Sequence, residues 1–271
     1  MSETKEMNQP NSYLMETPFE AQRLEDKTDL EMARKQLLLM GLKSGDTAVD
    51  IGSGTGAVAR EMSRIVGNSG KVVAFDASAS RLEYGSRVAQ DRGLTNIEFV
   101  NGDIYDLKLD SNTFDFVWCR FVFEYLEHVD LASQALWKLV KPNGFLVIGD
   151  LDGNMVFHDG LDDDMTAKLH RLVDALSGRF DPFIGRKLYR LVHKLVPKEI
   201  FTQIVPYHVF CGEASERDIR NWQKKVEAVS SIGKEMLGEE EFNRFSEKLI
   251  NFLKDDSTFT YSSLIMVRGQ K

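Results

Sequence analysis

The chain has 271 residues, 42% of them hydrophobic, and a formal charge of -8 at pH 7; this fits one large globular domain, or one with a sizeable insertion, that buries its own core. The acidic balance, with no Lys/Arg run longer than two, offers no electrostatic hold on a polyanion, so nucleic acid is a poor partner. Cys119 and Cys211 cannot build a disulfide framework and have no metal-ligand spacing, so both read as packed thiols in a reducing compartment, with no metal site. The polar start "MSETKEMNQPNSY" has no apolar signal core, and no run approaches the roughly 18 apolar residues of a membrane span, so a cytoplasmic protein away from membranes is expected.

After the polar first dozen residues comes a helical pattern in which Leu30, Ala33, Leu37 and Leu38 recur at helix spacing until Gly41 and Gly45 stop it. The period then changes. "TAVDIG" (47–52), "KVVAFD" (71–76), "IEFVNGD" (97–103), "FDFVWC" (114–119) and "GFLVIGD" (144–150) are short apolar runs, too continuous for half-exposed strands and suited to strands buried on both faces. Helical patterns at 57–66, 78–92 and 129–140 separate most of them, which is the signature of a parallel α/β sheet with right-handed crossovers. Beyond Asp150, helical patterns at 161–177 and 185–195 read as an insertion above the sheet. A sixth strand, "IFTQIVPYHVF", two helical stretches (214–236 and 239–254) and a last strand, "STFTYSSLIMV", complete the chain.

"DIGSGTGA" places Gly52, Gly54 and Gly56 just after the first strand, where α/β sheets bind their ligands. Glycines there allow a sharp turn and a close approach to the backbone, and a helix N-terminus follows. Taken alone, the loop fits two ligands: Gly52, Gly54 and Ala57 satisfy the dinucleotide pattern, with Asp76 about where its ribose-binding acid belongs. Asp50 argues the other way. A carboxylate two residues before Gly52 repels a diphosphate but accepts hydrogen bonds from an ammonium group.

"VDIGSGTG", followed in order by "VVAFDASASRL", "FVNGDIYDL", "SNTFDFVWCRFVFEYLEH" and "LVKPNGFLVIGD", resembles the class I S-adenosylmethionine-dependent methyltransferases. Within them it resembles in particular the small-molecule branch that includes the ubiquinone/menaquinone-biosynthesis and natural-product enzymes. The motifs cover about residues 45–152. The resemblance implies a doubly wound, Rossmann-like α/β fold with a seven-stranded, mostly parallel sheet whose last strand is antiparallel. It implies a helical N-terminal lid (1–43), a cofactor-binding core (44–152), a helical substrate cap (153–198) and a C-terminal part completing the sheet (199–271). Its implied cofactor is S-adenosylmethionine and its implied partner a small-molecule methyl acceptor, in a monomer or homodimer.

Carried over by position, Asp50, Gly52, Ser53, Gly54 and Gly56 would surround the methionine part, and Asp76, with Ala77 beside it, would hold both ribose hydroxyls. Asp103, after Gly102, would accept from the adenine amine, with the Ile104 N–H facing a ring nitrogen. Arg120 would lie near the amino-acid part, Tyr13 would cap the site and Arg23 would pair with the methionine carboxylate. Arg81 replaces the family's methionine and either stacks on adenine or faces solvent. A frequent histidine of the fourth motif is Tyr125 here. Among Asp150, Asp152, Asn154 and His158, which follow the fifth strand, His158 is the best candidate base because its ordinary pKa lies near neutrality, against a plain reading as a loop histidine. Phe180, Phe183, Tyr189 and Tyr207 are candidates for an apolar acceptor wall, or for core. "DDD" at 162–164 reads as an acidic first helical turn. Two rival classes stand beside a methyltransferase: an NAD(P)-dependent oxidoreductase, and a protein that binds S-adenosylmethionine without transferring its methyl group.

Overall fold

The structure is a computed structural model and describes residues 20–271. Two helices come first, α1 (Glu20–Lys27) and α2 (Leu30–Leu39), where the sequence pattern suggested a single run. Asp29 separates them, its side chain capping α2 by accepting from the Met32 amide. The alternating core follows: β1 (Thr47–Ile51), α3 (Ala57–Val66), β2 (Lys71–Asp76), α4 (Ala79–Asp91), β3 (Ile97–Asn101), β4 (Phe114–Arg120), α5 (Val129–Leu139) and β5 (Val140–Asp159). Then come α6 (Asp163–Ala175), α7 (Leu188–His193), β6 (Glu199–Cys211), α8 (Glu216–Ala228), α9 (Ser230–Leu237), α10 (Glu239–Phe252) and β7 (Phe259–Gln270).

The seven strands form one sheet in the order β3-β2-β1-β4-β5-β7-β6. Neighbours from β3 to β5 are parallel, and β7 runs antiparallel to both β5 and β6. Strand order therefore reverses between β1 and β4, and the crevice beyond their carboxyl ends is where ligands of such sheets bind.

Both faces of the sheet are covered, which explains the unbroken apolar runs. Val49, Ile51, Val73, Phe75, Val117 and Ile148 point to one face, against Leu136 of α5 and Leu188 of α7. Their neighbours Ala48, Val72, Ala74, Phe116, Trp118 and Val147 point to the other, against Leu37 of α2 and Met62 of α3. A separate apolar cluster ties α6 to α9 and α10 through Leu169, Leu172, Phe242 and Phe245. Helix α8, not these residues, faces the crevice, through Asn221, Trp222 and Lys225.

Two local results differ from the sequence pattern. Residues 153–159 are strand, not helix: β5 continues to Asp159 beside β7, with a register shift between Asp152 and Phe157. Strand β6 has a matching irregularity between Tyr207 and Phe210. Cys119 is buried as expected, but Cys211 is exposed at the end of β6, so it is not a packed thiol. Asp162 caps α6 through the Met165 amide, with Asp163 and Asp164 in its first turn. Among the described residues, no helix is long and apolar enough to cross a membrane and no group of His, Cys, Asp and Glu could hold a metal ion.

Candidate functional site

A cavity of about 1230 Å³ opens at the switch point. That exceeds the roughly 300–1,000 Å³ that one small ligand fills, so it has room for two reactants side by side. One end is built from the loop after β1 and the ends of β2 and β3; the other lies between β5, β6 and α8.

The glycine loop is spent on the chain itself. Gly52 and Ser53 donate their amides to the Phe75 carbonyl (2.8 and 3.0 Å), Gly56 donates to the Ser53 carbonyl (2.8 Å), and Gly54 donates to Asp76 Oδ2 (2.7 Å). Four inward-pointing amides leave little of the N–H cradle that a diphosphate needs. At the head of α3, the Ala59 amide points at the Asp50 carboxyl, which already answers the positive end of that helix. A side chain at Gly52 would put its Cβ 2.3 Å from Val122 Cγ2, and φ there is +73°.

Three carboxylates line this end: Asp50 within β1, Asp76 at the end of β2 and Asp103 after β3. Asp50 is buried, and desolvation pushes its pKa up to about 7, opposed by Arg120 and reinforced by Asp76. Asp76 accepts from Gly54, from the Ser78 amide (2.9 Å) and from Arg81 Nη2 (3.1 Å). Arg81 therefore neither faces solvent nor lies free to stack; it is buried in an ion pair with Asp76. With three donors on a carboxylate that has about four acceptor positions, gripping both hydroxyls of a diol requires Arg81 to let go. Asp103 accepts from the Tyr105 amide (2.8 Å), a local turn that holds its carboxylate at the rim. Gly102, Ile104, Ala77 and Ser53 line the same end. Arg120 lines it too, donating to Gln36 Oε1 (2.6 Å), with burial lowering its pKa.

Helix α1 closes over the loop. Arg23 and Leu24 line the cavity, while Glu25 reaches Arg60 Nη2 through both carboxylate oxygens (2.7 Å each) and accepts from the Thr55 hydroxyl (2.6 Å). Arg60 is almost wholly buried and also donates to the Thr55 carbonyl (2.7 Å). This clasp was missed in the sequence, because nothing local marks Glu25 and Arg60 as partners. Tyr13 lies outside the described residues.

His158 is not among the cavity-lining residues. Its Nε2 faces the Met155 carbonyl (3.2 Å) and its Nδ1 faces the Thr260 hydroxyl (2.8 Å). A carbonyl can only accept, so Nε2 carries the proton and Nδ1 accepts from Thr260. Trp222 and Phe252 pack edge-on to the ring, and burial lowers its pKa to about 4. It is a neutral, packed histidine rather than a base at the site. Asp150 is fully buried outside the lining, and Asp152 pairs with Arg186 (2.6 and 3.0 Å). Of the remaining candidates, Asn154, Phe180 and Tyr207 line the cavity, and Phe183 and Tyr189 do not.

A doubly wound sheet of this order, with a carboxylate-lined crevice at its switch point, defines the fold of a class I methyltransferase. Residues 49–148 match the model of a methyltransferase domain family. The ubiquinone/menaquinone biosynthesis C-methyltransferase UbiE of Pseudomonas paraeruginosa is 38% identical over 111 residues, 41% of this chain and 43% of that protein. Its counterpart in Pseudomonas putida strain GB-1 is 36% identical over 150 residues, 55% of this chain and 54% of that protein. The chain thus spans only about half the length of these curated relatives. A SAM-dependent methyltransferase from Aquifex aeolicus shares the fold at a TM-score of 0.53 and 23% identity, over 72% of this chain and 92% of that one. The [4+2]-cyclase SpnF does so at 0.52 and 18% identity, over 90% and 85%.

Proposed function

We propose that the chain is an S-adenosylmethionine-dependent methyltransferase of a small-molecule acceptor. The carrying observation is the pairing of three carboxylates at the ends of β1, β2 and β3 with a glycine loop whose amides point inward. Such a surface suits a ligand rich in hydrogen-bond donors and cations. A dinucleotide would bring a diphosphate to the place where Asp50 and Asp76 sit. The match of the core to a methyltransferase family supports the same reading.

When bound, S-adenosylmethionine supplies a methyl group on a positively charged sulfur. The chain's part is to hold, align and keep dry. Asp50 faces the ammonium with Gly52, Ser53, Gly54 and Gly56 alongside, and Arg120 and Arg23 balance the carboxylate. Asp76 would hold the ribose diol once Arg81 released it, and Asp103, Gly102 and Ile104 would frame the adenine. Residues 1–43 act as the lid, 44–152 as the donor-binding core, and the segments 153–198 and 199–271 shape the acceptor end.

Calorimetry with S-adenosylhomocysteine tests this. Asp76→Ala is expected to weaken binding at least tenfold, because it removes charge-assisted hydrogen bonds of roughly 1.5–3 kcal/mol each. Unchanged affinity in a folded variant, or a gain in melting temperature with NAD and none with S-adenosylhomocysteine, would reject the reading.

A further inference from the structure

Helix α8 turns one face to the end of the cavity away from the glycine loop. Arg217, Asn221 and Lys225 follow one another at intervals of four residues, so they rise from a single stripe of the helix, with Trp222 beside them, and all four line the cavity. Ile219 and Val226, off that stripe, are buried in the apolar clusters that seat the helix. The stripe is rich in hydrogen-bond donors. Arg217 is paired only loosely, with Asp218 at 3.8 Å, and Lys225 donates to Asn154 Oδ1 at 3.0 Å while its ammonium lies over the Trp222 ring, 4.8 Å from the centroid. The acids at this end are answered within the chain: Asp218 accepts from the Ser215 hydroxyl at 2.6 Å, and Glu124 from Asn154 Nδ2 at 2.9 Å. The indole of Trp222 is not. This side chain is 2% exposed, and among the described residues its Nε1 has no hydrogen-bond partner.

An indole N–H can only donate, and a donor shut away from water without an acceptor is a standing cost to the fold. Two cations stand on the same stripe, in a chain of formal charge -8, so the group that best answers the indole is an anion whose oxygens accept. A carboxylate has that chemistry: it only accepts, and its two oxygens can take the indole N–H and a guanidinium together. Between the stripe and the glycine loop the wall is aromatic, with Tyr207 against Phe121 (5.4 Å between centroids) and Tyr125 against Phe180 (5.7 Å). We propose that the methyl acceptor is an apolar small molecule bearing a carboxylate, and that Trp222, Asn221 and Arg217 are the specificity-determining residues that seat the carboxylate beside Lys225; this rests on the methyl-transfer reading above. The apolar body then lies along the aromatic wall and points the reacting atom toward the donor end.

Calorimetry on the full chain saturated with S-adenosylhomocysteine tests this with two probes of the same size, 3-phenylpropionate and its uncharged counterpart 3-phenylpropanamide. The wild type is expected to bind the carboxylate about tenfold more tightly than the amide, the difference made by charge-assisted hydrogen bonds. Trp222→Phe keeps an aromatic ring and removes only the N–H donor, and should weaken binding of the carboxylate about tenfold. Arg217→Gln should weaken it about threefold, less because the guanidinium is exposed and screened, and leave the amide unchanged. Equal affinity of the wild type for the two probes, no saturable binding of 3-phenylpropionate, or a folded variant of either kind that binds the carboxylate as tightly as the wild type would overturn the proposal. The comparison of the two probes on the wild type holds even if Trp222→Phe does not fold. Failure to bind S-adenosylhomocysteine would instead overturn the methyl-transfer reading, and the same two probes added to the ligand-free chain would still decide whether the α8 stripe takes a carboxylate.

Discussion

Substituting Gly52 by alanine separates two reasons for a bare backbone at the switch point. In the structure the new Cβ would lie 2.3 Å from Val122 Cγ2, at a φ of +73°. The left-handed backbone costs a residue with a Cβ about 1–2 kcal/mol, and forcing a methyl group into a packed contact adds roughly 1–3 kcal/mol. Gly52→Ala should therefore lose about 2–5 kcal/mol of stability in the ligand-free chain, measured by urea unfolding. Val122→Ala removes the opposing methyl groups, so the double variant should recover the contact part and keep the backbone part. The cycle should show a favourable coupling of about 1–3 kcal/mol, well above the roughly 0.5 kcal/mol expected of independent sites. Additive losses, or a Gly52→Ala variant as stable as the parent but poor at binding S-adenosylhomocysteine, would refute the reasoning. The glycine would then be bare for the ligand alone.

Asp50→Asn should raise the melting temperature at pH 8 while weakening S-adenosylhomocysteine binding. A buried carboxyl moved from 3.8 to about 7 loses up to about 4 kcal/mol of folding stability as pH rises through that window. The amide escapes this loss but gives no charge to the ammonium. In the parent, affinity should fall by up to tenfold per pH unit below 7, as Asp50 takes up a proton, and calorimetry on Asp50→Asn should show that slope gone. His158 has the opposite sign. Its folded pKa of about 4 lies below the ordinary 6.5, so the unfolded chain binds more protons between the two. Stability is then full above pH 6.5 and declines toward pH 4 by up to about 3 kcal/mol. Denaturation of His158→Gln should show that acid limb flattened, and a loss of turnover at pH 7 beyond what its stability explains would restore His158 as a base. Glu25→Ala leaves the buried Arg60 guanidinium without its carboxylate, a change of the kind that costs about 3–5 kcal/mol. Helix α1 should loosen, and S-adenosylhomocysteine should dissociate at least tenfold faster in stopped flow. An unchanged rate would show that α1 does not close the site.

The core was legible because its signals are local. Strands buried on both faces show as continuous apolar runs, and β2 begins and ends at the residues that the pattern marks, Lys71 and Asp76. Asp50 and Asp76 stand out beside the strand ends and Asp103 follows from the family resemblance, so all three could be named without coordinates, and all three line the cavity. The end of the cavity between β5, β6 and α8 was not legible, because its geometry comes from irregular pairing. The register shifts in β5 and β6 lie on either side of β7, and no residue type announces them. They turn Asn154 and His208 into the cavity and leave His158, the residue whose chemistry drew attention, packed against Trp222 and Phe252.

The same distinction changes what the glycine loop means. Read as sequence, "GSGTG" is bare so that a ligand can approach. In three dimensions, the places where side chains would stand at Gly52 and Gly56 are taken by Val122 and by the Phe99 ring, the latter 2.8 Å from a would-be Cβ. The loop amides go to Phe75, Ser53 and Asp76. The glycines therefore serve first to fold the loop flat against β2 and the turn after β4. By drawing the amides inward, that folding leaves the carboxylates to set the polarity of the surface. A loop of the same composition with its amides pointing outward would favour an anion, so the choice between a diphosphate and a methionine tail lies in the direction of four N–H bonds, not in the number of glycines.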